Sequence, residues 1–289
     1  MKTQESTRYA LRLEFDGTGY CGWQEQSPKM EKAKASLQMT FQKALLKLLG
    51  IRKKIHIQGC GRTDAGVHAE EFVAHFDLPL KYEEKFQGET RRLRLGLNSL
   101  LPKGLSVKNV YRVDRSFESL ENAQSKVYEY RILLRMSKPA LELGRVYWIP
   151  SEKMNEERFD YELFSKTLKH FVGTKDFAAF ASSGHSLKTT VRTIYSVECN
   201  REILTQERGH LIRVRFHGSG FLKQQVRNMV GASIAVAMKK RNEDFVLSLL
   251  EASKGPETRI SSLYCAPPEG LFLLKVNYDR SVFTEEASL

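Results

Sequence analysis

Three side chains of this sequence could do chemistry, and they stand far apart along the chain. Asp64 lies in Gly59-Cys60-Gly61-Arg62-Thr63-Asp64-Ala65-Gly66-Val67-His68, two residues after Arg62. The glycines let the backbone turn where a side chain would clash. An aspartate in such a turn can bond its own backbone amides and do nothing more. On a rigid loop between two strands it can instead be a metal ligand, a nucleophile or a base. A metal needs further oxygen or nitrogen ligands, and the surrounding sequence suggests none. A carboxylate that must stay ionised in a cleft needs a cation close by. Arg62 is one source of that charge and Arg227 is another.

Arg227 belongs to Phe221-Leu222-Lys223-Gln224-Gln225-Val226-Arg227-Asn228-Met229-Val230-Gly231. Helical spacing puts Lys223, Arg227 and Gly231 on one face, with Leu222, Val226, Met229 and Val230 toward a core. On spacing alone Arg227 reads as a solvated helix charge. Gly231 argues otherwise, because a glycine inside a helix costs about 1 kcal/mol unless something packs against it. The third side chain is Tyr128, in Tyr128-Glu129-Tyr130. Tyr128 and Tyr130 share a strand face. Strand tyrosines are more often core than functional.

The elements that must position these groups follow from periodicity. Tyr9 to Phe15 alternates as a half-buried strand, and Ala35 to Leu49 has the spacing of an amphipathic helix stopped by Gly50. Strands at Ile55–Ile57 and Glu71–Phe76 flank the aspartate loop. A helix over Glu84–Ser99 and a strand over Leu105–Arg112 complete a β-α-β-β-α-β order, the split βαβ unit called ferredoxin-like. The second half repeats the order: a strand at Val127–Arg135, a helix at Glu156–Val172, strands at Thr193–Cys199 and His210–His217, helices at Phe221–Met238 and Asp244–Ala252, and a closing strand at Leu271–Tyr278. The reading is α+β, with two ferredoxin-like halves, residues 1–115 and 116–289, forming one extended antiparallel sheet. Helices cover one face and a basic cleft forms the other.

The 46 lysines and arginines against 34 acids give a net charge of +12, which favours an anionic partner, nucleic acid before a membrane surface. Arg52, Lys53, Lys54, Arg91, Arg92, Arg94, Arg213 and Arg215 are the candidate contacts. Arg213 and Arg215 alternate with Ile212, Val214 and Phe216, so the pair is placed on the cleft floor. Cys21, Cys60, Cys199 and Cys265 form no Cys-x-x-Cys pair and fit free thiols in a reducing compartment. No apolar run is long enough to span a membrane and the N-terminus has no signal core, so a cytoplasmic protein without a structural metal is expected.

Gly61-Arg62-Thr63-Asp64-Ala65-Gly66-Val67-His68 resembles the signature of the TruA family of tRNA pseudouridine synthases. Lys126-Val127-Tyr128-Glu129-Tyr130-Arg131-Ile132 resembles a second family motif, whose first tyrosine stacks on the target base. The run around Arg227 resembles a third, whose arginine pairs with the catalytic aspartate. Gln225 departs from the methionine common there. Further similarity runs from Tyr9 to Asp279, including Phe15-Asp16-Gly17-Thr18-Gly19-Tyr20 and Gly22-Trp23-Gln24. Ser116-Phe117-Glu118-Ser119-Leu120-Glu121 departs from a pattern that is usually more basic and alanine-rich. The resemblance implies a cofactor-free isomerase that converts uridine to pseudouridine at positions 38 to 40 of the tRNA anticodon stem-loop, acting as a homodimer. It implies Asp64 as the essential carboxylate, Arg227 as its cation, Arg62 as an aid to displacing the base, and Tyr128 as the stacking ring. A non-catalytic RNA-binding module has no need of that set. A glycoside hydrolase usually needs two cooperating carboxylates, and one stands out here.

Overall fold

The computed structural model describes residues 6–27, 29, 34–150, 159–182, 189–204, 209–255 and 264–283. The chain separates into two compact units, Met1–Gln124 with Leu273–Leu289, and Ser125–Phe272.

The first unit opens with β1 (Ser6–Phe15), whose alternation buries Tyr9, Leu11, Leu13 and Phe15 on one face. Helix α1 (Leu37–Leu49) starts at Ser36, whose hydroxyl accepts the Met39 amide at 3.2 Å. Strand β2 is only Gln58–Gly59, later and shorter than the alternation at Ile55–Ile57 predicts. Ile55 and Ile57 are buried as expected, yet the Gln38 side chain donates Nε2 to the Ile57 carbonyl at 2.8 Å. A side-chain amide thus supplies the bond a neighbouring strand would have made. Strand β3 (His68–Pro79) runs antiparallel to β1. The expected helix at 84–99 is two pieces, a 3-10 turn at Leu80–Phe86 and helix α2 (Thr90–Leu100). Gln87 and Gly88 between them are left-handed, at φ 55° and 69°. The Arg112 guanidinium pins this break by donating to the Gly88 carbonyl at 2.8 Å. Strand β4 (Leu105–Val113) pairs with the other edge of β1.

The second unit begins with β5 (Ser125–Arg135) and β6 (Tyr147–Pro150), which run parallel. Helix α3 (Tyr161–Lys169) is capped by Asp160, whose carboxylate accepts the Leu163 amide at 2.9 Å. Residues 156–158 of the helix expected there lie outside the described residues. Strands β7 (Gly173–Asp176), β8 (Val191–Leu204) and β9 (Gly209–Gly218) follow. Helices α4 (Gln225–Ala237) and α5 (Phe245–Ala252) come next. The order β5-β9-β8-β7 is antiparallel throughout. Strands β6 and β7 are four residues each, too short to show a period in sequence. Tyr130, Ile132, Ile212, Val214 and Phe216 form the buried face of this sheet.

The closing strand β10 (Leu271–Asn277) returns to the first unit, where it lies beside β3. Antiparallel strands carrying helices in both units give the α+β class that the periodicity predicts.

Candidate active site

The aspartate loop joins β2 to β3 in the first unit, and it is braced from beneath. The Cys60 amide donates to the Val73 carbonyl at 2.7 Å, holding the loop's entry on β3. The Val67 amide donates to the Asp64 carbonyl at 3.2 Å and closes the turn. A strap of residues 15–24 passes against the loop. The Trp23 amide donates to the Thr63 carbonyl at 3.2 Å, and the Gly17 amide donates to Nδ1 of buried His68 at 3.2 Å. A Cβ on Gly17 would lie 2.0 Å from the Val67 carbonyl oxygen. One on Gly22, at φ 104°, would lie 2.3 Å from the Thr63 oxygen. Only glycine permits that approach and that backbone angle together.

Trp23 anchors the strap in the core. Its ring lies 4.2 Å from that of Phe72, with Phe41 and Phe15 at 6.1 and 6.4 Å. The first amides of α1, on Leu37 and Gln38, donate to the Gly22 and Trp23 carbonyls at 3.0 and 2.9 Å. The strap, α1 and the loop are therefore one hydrogen-bonded body. On it Asp64 is half-buried and Arg62 is exposed. Sequence reasoning assigned no role to Gly17, Gly22, Trp23 or His68. The signal that could have found them is the run of glycines around a single tryptophan.

In the second unit, α4 begins at Gln225, later than the periodicity predicts, because Gln224 is left-handed at φ 60°. Lys223 consequently stands before the helix and not on the Arg227 face. Gln225 is fully buried, and its Oε1 accepts the Leu222 amide at 2.8 Å. That bond explains how glutamine serves where the family motif commonly has methionine. Arg227 is half-buried, not a solvated charge. Its Nε donates to the Ala266 carbonyl at 2.7 Å, while the Ala266 amide donates to the Arg227 carbonyl at 3.1 Å. A Cβ on Gly231 would lie 1.5 Å from the Tyr264 carbonyl oxygen. The segment 264–266 thus lies directly on the face that carries Arg227, and it needs a glycine there.

The same segment reaches the tyrosine strand. Tyr130 is buried, its hydroxyl donates to the Pro267 carbonyl at 2.7 Å, and burial pushes its ionisation well above the ordinary value. Tyr128, on the same face, is half-buried, and its ring meets Phe221 edge-on at 5.1 Å.

The register of β5 with β9 divides the remaining candidates. Tyr128 stands opposite Phe216, and Arg215 opposite Glu129. Arg213 and Arg215 therefore face the reverse side of this sheet from Tyr128. Arg213 pairs with Glu202 at 2.7 Å, and Arg215 pairs at 2.7 Å with Glu129, whose side chain is 2% exposed. Glu129 also accepts from Arg131 at 2.7 Å, and that guanidinium lies 3.7 Å from the centre of the Phe272 ring. Burial alone would push the Glu129 carboxyl up. The hydrogen bonds from Arg131 and Arg215 outweigh it and leave the carboxyl below the ordinary glutamate value. Neither Glu129 nor Arg131 was singled out from sequence as a functional residue.

A family model described as tRNA pseudouridine synthase matches residues 167–279. The tRNA pseudouridine synthase A of Citrifermentans bemidjiense is 37% identical over 272 residues, covering 93% of this chain and 96% of that one. This chain belongs to the tRNA pseudouridine synthase A family. Its similarity to the family member named tRNA pseudouridine synthase A 1 in Protochlamydia amoebophila is 36% over 277 residues, covering 94% of this chain and 96% of the relative. The Sinorhizobium fredii member is 34% identical over 274 residues, 94% of this chain and 99% of its own. Among the described residues no helix is long and apolar enough to cross a membrane.

Proposed function

We propose that this chain isomerises uridine to pseudouridine in tRNA, at positions 38 to 40 of the anticodon stem-loop, as a cytoplasmic homodimer. Family membership supports the reaction and the tRNA substrate. The observation that carries the site assignment is the bracing of the Asp64 loop by the Gly17–Trp23 strap, which fixes the backbone under one half-buried carboxylate.

The reaction breaks the bond from N1 of uracil to C1′ of ribose and forms one from C5 to C1′. A proton leaves C5 and N1 gains one, so no atom is lost and no redox partner is needed. The uridine must leave the helix stack to be reached. Asp64 is assigned as the essential carboxylate, and Arg227 as its cation. Arg62 assists displacement of the base. Tyr128, half-exposed beside Phe221, offers a flat ring for stacking on the extruded uracil. In division of labour, residues 1–115 supply the aspartate loop and residues 116–289 complete the RNA-binding surface. Arg213 and Arg215, on the sheet face opposite Tyr128, act as phosphate contacts away from the stacked base.

The test is mass-spectrometric mapping of pseudouridine in tRNA treated with the pure protein and with Asp64→Ala. Product at 38 to 40 from the wild type, and none from Asp64→Ala under single-turnover conditions, is the expected result. Binding of tRNA by the variant should persist, since removing an anion does not weaken attraction to phosphate. Full activity of Asp64→Ala would remove the carboxylate from the mechanism. Tight tRNA binding by the wild type with no product would make the chain an RNA-binding module.

A further inference from the structure

The first unit holds a cavity of about 340 Å³ that the isomerase assignment does not use. That volume suits a small organic ligand. It opens where the chain leaves α1 and runs toward β2, along β3 beyond its short pairing with β2. Its apolar lining comes from Ile51, Ile55, Pro79 and Tyr82. Lys53, Lys54, His56 and Lys81 stand at its exposed mouth, with Lys54 paired to Glu25.

One side of the cavity is polar and already ordered, with Asp77 and Glu118 partly open to solvent. Arg8, its side chain 13% exposed, grips both oxygens of Asp77 at 2.8 Å, and it donates to Glu118 at 2.6 Å and to the Phe117 carbonyl at 2.8 Å. His75, 5% exposed, receives the Ser119 amide on Nδ1 at 3.2 Å. Nδ1 also lies 2.9 Å from the Ser119 hydroxyl, and Nε2 faces Glu118 at 3.2 Å. The Ser119 hydroxyl donates to the Gln58 carbonyl at 3.1 Å. Glu118 and Ser119 are the heart of the segment where this sequence departs from the basic family pattern. The departure has placed a carboxylate and a hydroxyl where they lock His75 and Arg8.

Arg8 leaves Asp77 and Glu118 fixed in place with lone pairs remaining, since a carboxylate accepts at about four sites. A ligand reaching these carboxylates must donate hydrogen bonds to them, lie against Ile55, Pro79 and Tyr82, and carry negative charge toward the rim lysines. We infer that this cavity is a nucleotide-binding site that selects a base bearing an amino group, with guanine the best fit. Guanine presents a ring N–H and an amino group side by side to a carboxylate, and its phosphate falls to Lys53 and Lys81. Uracil lacks the amino group. The nucleotide comes either free from solution or as an unstacked residue of a bound RNA. The inference does not rest on the isomerase assignment.

The experiment uses the full chain labelled with ¹³C on its histidine rings, titrated with GMP, AMP, CMP, UMP and inorganic phosphate. His75 and His56 signals should shift saturably with GMP. GMP should bind at least about fivefold tighter than UMP, the low end of what a bidentate base contact is worth. Lys53→Glu with Lys81→Glu, both on the exposed rim, should weaken GMP by roughly tenfold through lost charge attraction. Absence of a saturable shift by about 10 mM, a weak limit even for small ligands, overturns the site. Equal shifts from phosphate and GMP overturn base recognition. Unchanged GMP affinity in the double variant overturns the phosphate placement. Ultraviolet cross-linking of tRNA to Tyr82 would assign the nucleotide to RNA, and GMP binding without that cross-link would assign it to solution. Pseudouridine formation measured on the same samples reports separately on the isomerase.

Discussion

The two places where this molecule holds its functional candidates are built on different physics. Asp64 and Arg227 are held by backbone packed on backbone at a glycine. The Thr63 carbonyl lies over Gly22, and the Tyr264 carbonyl over Gly231. Arg213 and Arg215 are held by charge, through Glu202 and the buried Glu129. The first kind of support is steric, and neither salt nor pH relaxes it. The second is electrostatic, and it weakens as salt screens it or acid protonates the carboxylates. A group that must meet a reacting atom benefits from the first kind. A group that must meet a phosphate anywhere along a backbone tolerates the second.

That contrast can be broken by mutation. Trp23→Ala should have the largest effect, about 3–5 kcal/mol of stability, because it empties a ring-lined core and frees the strap under Asp64. The urea midpoint and single-turnover rate should fall together. Gly231→Ala should follow, at about 3 kcal/mol, since the new methyl meets backbone that cannot rotate away. Its loss should be the same at low and high salt, and a loss that salt removes would contradict steric support.

Glu129→Gln sharpens the other side. It should cost about 1–2 kcal/mol at neutral pH, discounted because Arg215 is well exposed. The folded carboxyl ionises below its ordinary value near 4.5, so its stabilisation is present above that value and is lost as pH falls through the lower, folded one. The gap in urea midpoint between wild type and Glu129→Gln should therefore close in acid. A gap that stays constant to pH 3 would place the contribution in packing. Arg213→Ala should be smallest, at most about 1 kcal/mol in unfolding, as expected of an exposed pair. Its effect should appear instead as a shallower salt dependence of tRNA binding.

Most elements were legible because their periods are long. The helix ending at Leu49 has one buried face, and the strands at 6–15 and 209–218 alternate, whereas only 193–199 of the strand at 191–204 was legible, since that strand buries little. The failures share a cause. Gln38 bonding Ile57 and Arg112 bonding Gly88 are long-range side-chain contacts that replace a strand and interrupt a helix. No local pattern encodes them. Around the candidate site, the need for a partner at Gly231 was readable from residue type and spacing. The strap was not, because Gly17 and Gly22 matter only through what lies across from them. The side of the sheet that Arg213 and Arg215 face relative to Tyr128 was also hidden, since it depends on cross-strand register between β5 and β9.

The first unit is interrupted in sequence by the whole of the second. Strand β10, the Gln124 amide bond to the Asn277 carbonyl at 2.9 Å, and the packing of Phe283 against Phe117 all arrive after Phe272 has been made. At ordinary synthesis rates the ribosome takes roughly 7 to 30 s to deliver the intervening segment. Throughout that interval the edge of β3 that β10 covers is open apart from its short pairing with β2, with amides and carbonyls available to any other strand. The loop that presents Asp64 is continuous with that edge. The nascent chain is therefore exposed to mispairing at the very strand its activity depends on, and it completes that strand's surroundings only when its last segment emerges.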